Sequence, residues 1–327
     1  MRSPHRFFTH WGNVLGLCLV LLFVIIAIFT PVLSPEDTEN PGPVKFVGLK
    51  TDLRPHPPSE VAPLGTLPHQ VSVYHSLIWG TRSALLFGFT VSIFAAFIGV
   101  VVGAVSAYFG GFLNDLLMRV TDAFLSFPVI AGVVLIHQLI TNLLYNAGMR
   151  IYLMGSGNQN VIMVSPEGSM DVPQVVPDFL QRLQQLDPIL IAFILFSWMP
   201  YARMMNALVL NNMKTEYIEA SRAMGAGSFR LIFRHLIPNS ISPIFVLAAR
   251  DVGGMVLLQA TFTFIGMGDS SLWGMLLADG RSWIISPGGI LTFWWVFVPA
   301  TVALILFGIG WNLLGDGLND ALNPRNA

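Results

Sequence analysis

Six predominantly apolar runs of about 20 residues or more constrain this chain more than anything else in it. They are Val14–Leu33, Leu85–Tyr108, Val120–Leu143, Ile189–Leu210, Ile241–Ile265 and Ile290–Leu314. A run of that length matches the hydrocarbon thickness of a bilayer. Lipid offers the backbone no hydrogen-bond partner, so each run must close its bonds internally as a helix. No alternating apolar–polar strand pattern competes. The expectation is an all-α integral membrane protein with about six transmembrane helices. Composition agrees: 54% of the residues are hydrophobic and 11% charged, against about 25% charged in a soluble domain.

The first run follows a basic start. It is longer than the apolar core of a cleaved signal peptide, about 7–15 residues, and no A-x-A site follows it. It reads as a retained helix. Lys and Arg set the orientation. With the N-terminus inside, the short cytoplasmic segments hold Arg2, Arg6, Arg119, Lys214, Arg222, Arg230, Arg234 and Arg325. Lys45, Lys50, Arg54, Arg150, Arg182 and Arg281 are spread over longer outer loops. Long loops translocate largely regardless of charge, so the short ones decide, and both termini face the cytoplasm.

The organisation that follows is a tail and first helix at 1–34 and an extracytoplasmic loop and lead-in at 35–80. A five-helix core at 81–315 carries an outer insertion at 145–188 and a cytoplasmic loop at 212–239, and a cytoplasmic tail occupies 316–327. Within the insertion, Pro177–Leu186 has the pattern of a short surface helix. Long loops of this kind are usually functional or disordered.

Several chemistries are excluded. The net charge of −1 predicts no nucleic-acid partner. Cys18 is the one cysteine, so no disulfide within the chain and no cysteine metal cluster can form. No metal motif occurs and no cofactor is called for. The phosphate-binding pattern G-x-x-x-x-G-K-[ST] is absent, so nothing here hydrolyses ATP.

The polar segment Asn212–Asn239 interrupts the apolar spans on the cytoplasmic side. Thr215 can cap a helix whose first turn carries Glu216 and Glu219, where carboxylates favour the positive end of the helix dipole. Gly225 suits a position just past a helix that needs φ > 0. Ser228 can cap a second helix, in which Phe229, Ile232, Phe233 and Leu236 recur at i, i+3, i+4 and i+7 as one apolar stripe. Arg230, Arg234 and His235 lie off that stripe, and Pro238 limits the helix. On physics alone, a docking element and an amphipathic loop on the membrane surface are equally open readings.

Glu219-Ala220-Ser221, then Gly225, Ile232 and Leu236-Ile237-Pro238 resemble the "EAA" signature of ABC importer permeases. Ser221 replaces the second alanine. WGTRSALLFG, AYFGGFLNDLLMRVTDAFLSFP, WMPYARMMNALVL, FTFIGMG, WGMLLADGRS and NLLGDGLNDALNPR resemble segments of the dipeptide/oligopeptide/nickel permease family, specifically its C-type subunit. The likeness covers most of the chain from Leu64 onward. Two departures lie on the outer face. Leu64-Gly65-Thr66 is followed by LPHQVS where family members carry D-x-x-G-R-D, and the insertion 145–188 is long.

The resemblance implies a type I ABC importer permease fold with a cytoplasmic coupling helix. It implies a homologous second permease subunit, two cytoplasmic ABC ATPase subunits and an extracytoplasmic substrate-binding protein. The expected location is a bacterial inner membrane. The expected function is ATP-driven peptide import by alternating access, with nickel, a sugar or a modified peptide as alternative cargo. The residues implied for ATPase coupling are Glu219, Ala220, Ser221, Arg222, Gly225, Phe229, Ile232, Leu236 and Pro238.

An intramembrane enzyme would need a nucleophile–base pair at membrane depth, and none is convincing. A channel would need no ATPase-docking loop. Arg250 and Asp251 fall within the fifth span, where a charge costs on the order of 3 kcal/mol. With Gln259 they are candidates to line the translocation path, and a local ion pair is the competing reading. Asp122 and Arg203 read as an ion pair between helices. Gly99 and Gly103 form G-x-x-x-G, which lets helix backbones approach closely and suits packing within the subunit.

Overall fold

A computed structural model describes residues 8, 10–37, 42–156, 187–268, 271–286 and 289–322. Pro177–Leu186 lies outside them. Five described helices or helix pairs are long and apolar enough to cross a membrane. They are α1 (Trp11–Leu33), α2 (Val73–Phe109), α5 (Pro188–Ser197) with α6 (Met199–Asn212), α10 (Ser242–Ile265) and α12 (Trp294–Leu322). A bent pair, α3 (Gly111–Ser126) with α4 (Val129–Ser156), meets the same length and apolarity only when α3 is joined to Val129–Leu143 across a 100° break. The elements between are α7 (Glu216–Ala223), α8 (Ser228–Arg230), α9 (Ile237–Ser240) and α11 (Leu272–Gly280).

Three spans differ from the sequence reading. The third span is not the straight helix Val120–Leu143. Pro128 lacks an N–H and forces its predecessor out of helical geometry, and Phe127 is extended at φ −84°, ψ 137°. The second span starts at Val73 rather than Leu85. Ser72 caps it, its Oγ accepting from the His75 amide at 3.3 Å, and tertiary contacts hold the less apolar first turns. The last helix starts at Trp294, because Ile290 pairs with Ile285 in a two-residue hairpin and Leu291 is left-handed at φ 74°. It then runs to Leu322, so part of the expected tail is helical.

The bundle centres on α2, which packs chiefly on α6 and α10. The G-x-x-x-G pattern explains the closeness of the first contact. A Cβ on Gly99 would stand 2.5 Å from the Trp198 carbonyl oxygen and 2.5 Å from Tyr201 Cβ. One on Gly103 would strike the Ala202 carbonyl oxygen and stand 2.9 Å from Met205 Cβ. Asn206 locks this crossing, its Nδ2 donating to Ser106 Oγ at 2.8 Å and Asn114 Oδ1 at 2.6 Å. Elsewhere the rings of Phe23, Trp273, Phe307 and Trp311 join α1, α11 and α12 edge to face and tilted.

At the end of the bundle away from Asn212–Asn239, the described part of the loop between α1 and α2 is folded. Bridges Phe46–Val71 and Thr66–Ser72 close it on itself. Gly65 at φ +74° lets it lie against Trp295. Ser34 Oγ and His75 Nδ1 share a 2.7 Å hydrogen bond, and Trp79 Nε1 donates to the Ser34 carbonyl at 3.0 Å, tying the end of α1 to the start of α2.

Candidate coupling element

Thr215 stands at the N-cap of α7 but does not cap it with its side chain; its Oγ1 donates back to the Asn212 carbonyl instead. Glu216 and Glu219 occupy the first turn and Arg222 the last, each complementing the helix dipole. Gly225, at φ +83°, ends the helix. Its amide donates to the Arg222 carbonyl at 2.9 Å and the Ala226 amide to Ser221 at 3.1 Å, the paired bonds of a Schellman motif.

The burial pattern divides the element into an anchored and a presented side. Ile218 is buried, and so is Ser221, whose Oγ donates to the Tyr217 carbonyl at 2.7 Å. Glu219, Ala220 and Arg222 are exposed, and Met224 is 81% exposed. Arg222 also lies 5.7 Å from the centre of the Tyr108 ring. Tyr108 OH in turn donates to Ser228 Oγ at 3.1 Å, so the end of α2 touches both halves of the element.

The second half departs from the expected stripe. Gly227, not Ser228, stands at its N-cap. Residues Leu231–Leu236 form a π-helical turn, and the chain continues helically into α9 through Pro238. A proline cannot donate to the preceding turn and its ring crowds that turn's carbonyl; widening the helix by one residue relieves both. The wider turn also changes which side chains share a face. Leu231, Ile232 and Leu236 are buried against Ile218, Tyr201, Met205, Val209 and Ala104. Phe229 is 75% exposed and Phe233 42% exposed, their rings 4.5 Å apart. The stripe was therefore half right: Ile232 and Leu236 pack, Phe229 and Phe233 do not, and Leu231 was missed. A proline directly after the stripe was the available signal.

A family model described as "Binding-protein-dependent transport system inner membrane component" matches residues 99–327, which include the whole of this element. The chain belongs to that family. A second model, "N-terminal TM domain of oligopeptide transport permease C", matches residues 3–55 of the permease. The permease is 27% identical over 315 residues to the dipeptide transport system permease protein of Alkalihalophilus pseudofirmus, covering 95% of this chain and 85% of that one. It is 28% identical to the glutathione transport system permease protein of Pectobacterium atrosepticum, covering 99% and 92%. It is 26% identical to the oligopeptide transport system permease protein of Bacillus subtilis, covering 98% and 88%. It is thus a multi-pass inner-membrane protein, the permease subunit of an ABC importer.

Asp122, Arg203, Arg250 and Asp251 have local partners within the permease. Arg203 on α6 pairs with Asp122 on α3, as expected, with both side chains about half exposed. Arg250 and Asp251 diverge to opposite neighbours. Arg250 lies along Gly315 of α12, its Nη1 3.9 Å from Asp316 Oδ1. The Asp251 carboxylate accepts a hydrogen bond from Tyr201 OH of α6 at 2.7 Å. Gln259 is 3% exposed. The Arg250 and Asp316 side chains are 52% and 59% exposed, so Arg250 stays open at the surface of the subunit while Asp251 and Gln259 are turned inward. The local ion pair, the reading less favoured on sequence, is the geometry found for Arg250. Tyr201 was missed because an aromatic in an apolar span carries no signal of its own.

Proposed function

We propose that the permease imports peptides by alternating access, driven by two cytoplasmic ABC ATPases that push on α7. A homologous second permease completes the path, and an extracytoplasmic binding protein delivers cargo to the folded outer loop. ATP hydrolysis occurs on the ATPases, and the permease itself has no catalytic role. The observation that carries this reading is the presented face of α7, Glu219, Ala220 and Arg222, beside a buried face set into the bundle. A ligand shifts a conformational equilibrium only through differential affinity for its states. ATPase closure supplies that difference by displacing an element whose buried half is rigidly attached. The named cargoes of the relatives, dipeptide, glutathione and oligopeptide, support a peptide-like substrate.

A photoreactive side chain at Glu219 should cross-link to a co-expressed ATPase subunit, and deletion of the permease should abolish uptake of a radiolabelled peptide pool. Failure to capture an ATPase would remove the coupling role, and unchanged uptake in the deletion would remove the peptide cargo.

Both termini and the Thr215–Pro238 element are proposed to face the cytoplasm. Ala220→Cys should be shielded from an impermeant thiol reagent on intact cells, while Glu60→Cys should react, both in a Cys18→Ala background. Both positions are exposed, and labelling of position 220 in permeabilised cells lacking the ATPases separates sidedness from cover by a docked ATPase. The opposite labelling pattern would invert the topology.

A further inference from the structure

The chain enters the coupling element from α6 and leaves it through α9 into α10. These two flanking segments are joined by two polar bonds. Near the element, Asn212 Nδ2 donates to Ser240 Oγ at 2.8 Å. Deeper in the membrane, Tyr201 OH donates to the Asp251 carboxylate at 2.7 Å. The spacing between the bonds is the same on both strands of this helical hairpin: Tyr201 to Asn212 and Ser240 to Asp251 are each eleven residues apart. Eleven residues make about three turns of helix and rise about 16 Å, so each helix returns the same face to its partner. Antiparallel helices with equal intervals place the bonds as parallel rungs.

Direct packing between the two segments is slight by comparison. α6 makes most of its contacts with α2, and α10 with α12 and α2. Tyr201 is 0% exposed and Ser240 1%, so neither hydroxyl is a surface group held by chance. An ionisable side chain inside a span is costly and needs a reason to be there. The adjacent Arg250 turns to the other side of α10, where its Nη1 lies 3.9 Å from Asp316 of α12.

We propose that Tyr201–Asp251 and Asn212–Ser240 form a two-rung ladder that makes α6, the coupling element and α10 one lever arm. The ladder rests on the coupling role proposed above and assigns Tyr201 and Asp251 as positioning residues rather than substrate contacts. A push on α7 then reaches mid-membrane as rotation of the whole arm. Without the upper rung, the hairpin splays and the push dissipates between α6 and α10.

The test uses the complete importer, with its ATPases, in proteoliposomes. Spin labels at Ala207→Cys on α6 and Phe245→Cys on α10, both exposed positions, report the distance across the hairpin in a Cys18→Ala background. In the parent importer that distance stays the same between the nucleotide-free and ATP·vanadate-trapped states. In Tyr201→Phe it shifts or broadens on trapping, and the ATP hydrolysed per labelled peptide imported rises several-fold. A purely structural defect would lower hydrolysis and import together. Asp251→Asn keeps an acceptor for the phenol and holds the parent distance; Asp251→Leu does not. If the membrane rung proves too disruptive for assembly, Ser240→Ala tests the ladder at its lower end with the same readout.

A parent distance that itself changes on trapping overturns the ladder, as does a Tyr201→Phe importer with an unchanged distance and ratio. If Gly225→Val uncouples the importer while Tyr201→Phe does not, only the ladder falls. If neither does, the coupling role falls with it. The distance measurement needs no substrate, so an error about the cargo leaves that arm standing.

Discussion

Gly225→Val is expected to leave the permease inserted and abolish ATP-driven transport. Gly225 holds φ +83°, which an L-residue adopts at a cost of about 1–2 kcal/mol, and a β-branched side chain is a more severe outlier there. A Cβ at this position meets nothing within 4 Å. The defect is therefore conformational and not a clash. The Schellman bonds from Gly225 and Ala226 would break, and α7 would lose its fixed angle to the π-helical turn that anchors it. Gly225→Asn is the matched control, because asparagine tolerates the left-handed region and finds the same open space. Transport and ATPase retention are measured on purified complex. Wild-type transport by Gly225→Val, with its ATPases retained, would refute the coupling role.

The second large effect is expected at Gly103. Even Gly103→Ala drives a methyl group into the Ala202 carbonyl, with Met205 Cβ at 2.9 Å and the Asn206 amide nitrogen at 3.0 Å. Backbone cannot rotate away as a side-chain tip can, so α2 and α6 must separate. Overpacking of this kind costs about 1–3 kcal/mol or more. Separation would also pull Asn206 from Ser106 and Asn114. Gly103→Ala should lower the thermal midpoint of the detergent-solubilised importer by several degrees, and Gly103→Val should prevent accumulation in the membrane. Gly254→Ala, on a helix face with nothing within 4 Å, should be silent. Equal stability of Gly103→Ala and Gly254→Ala would mean that α2 and α6 do not meet as closely as described.

The contrast between the two glycines shows where linear reading stops. Gly225 was legible in sequence because its requirement is local. An acidic first turn and a basic last turn followed by glycine mark a left-handed position just past a helix from neighbouring residues alone. Gly99 and Gly103 were legible only as a pattern; that their partner is α6 of the same subunit emerged with the bundle. The Phe229–Leu236 stripe failed in an instructive way. Periodicity assumes 3.6 residues per turn, and the π-helical turn before Pro238 invalidates that assumption over the very residues being sorted. Phe229 and Phe233 are consequently presented outward, and Leu231 takes their place in the core.

By itself, the sequence determined the membrane, the helical class, five of the spans and the family. Each of these rests on run length, charge distribution or a contiguous motif, and each is enforced by local physics: an apolar run of 20 residues has no other stable form in lipid. Only the tertiary structure decided the partners of Arg250 and Asp251. Adjacent residues on a helix point about 100° apart, so two neighbouring charges that look like one polar site in sequence were delivered to different helices. Tyr201 and Asp251 lie 50 positions apart, and nothing local to either requires the other. Their meeting depends on the return of the chain through the coupling element, with equal eleven-residue intervals on both sides of it.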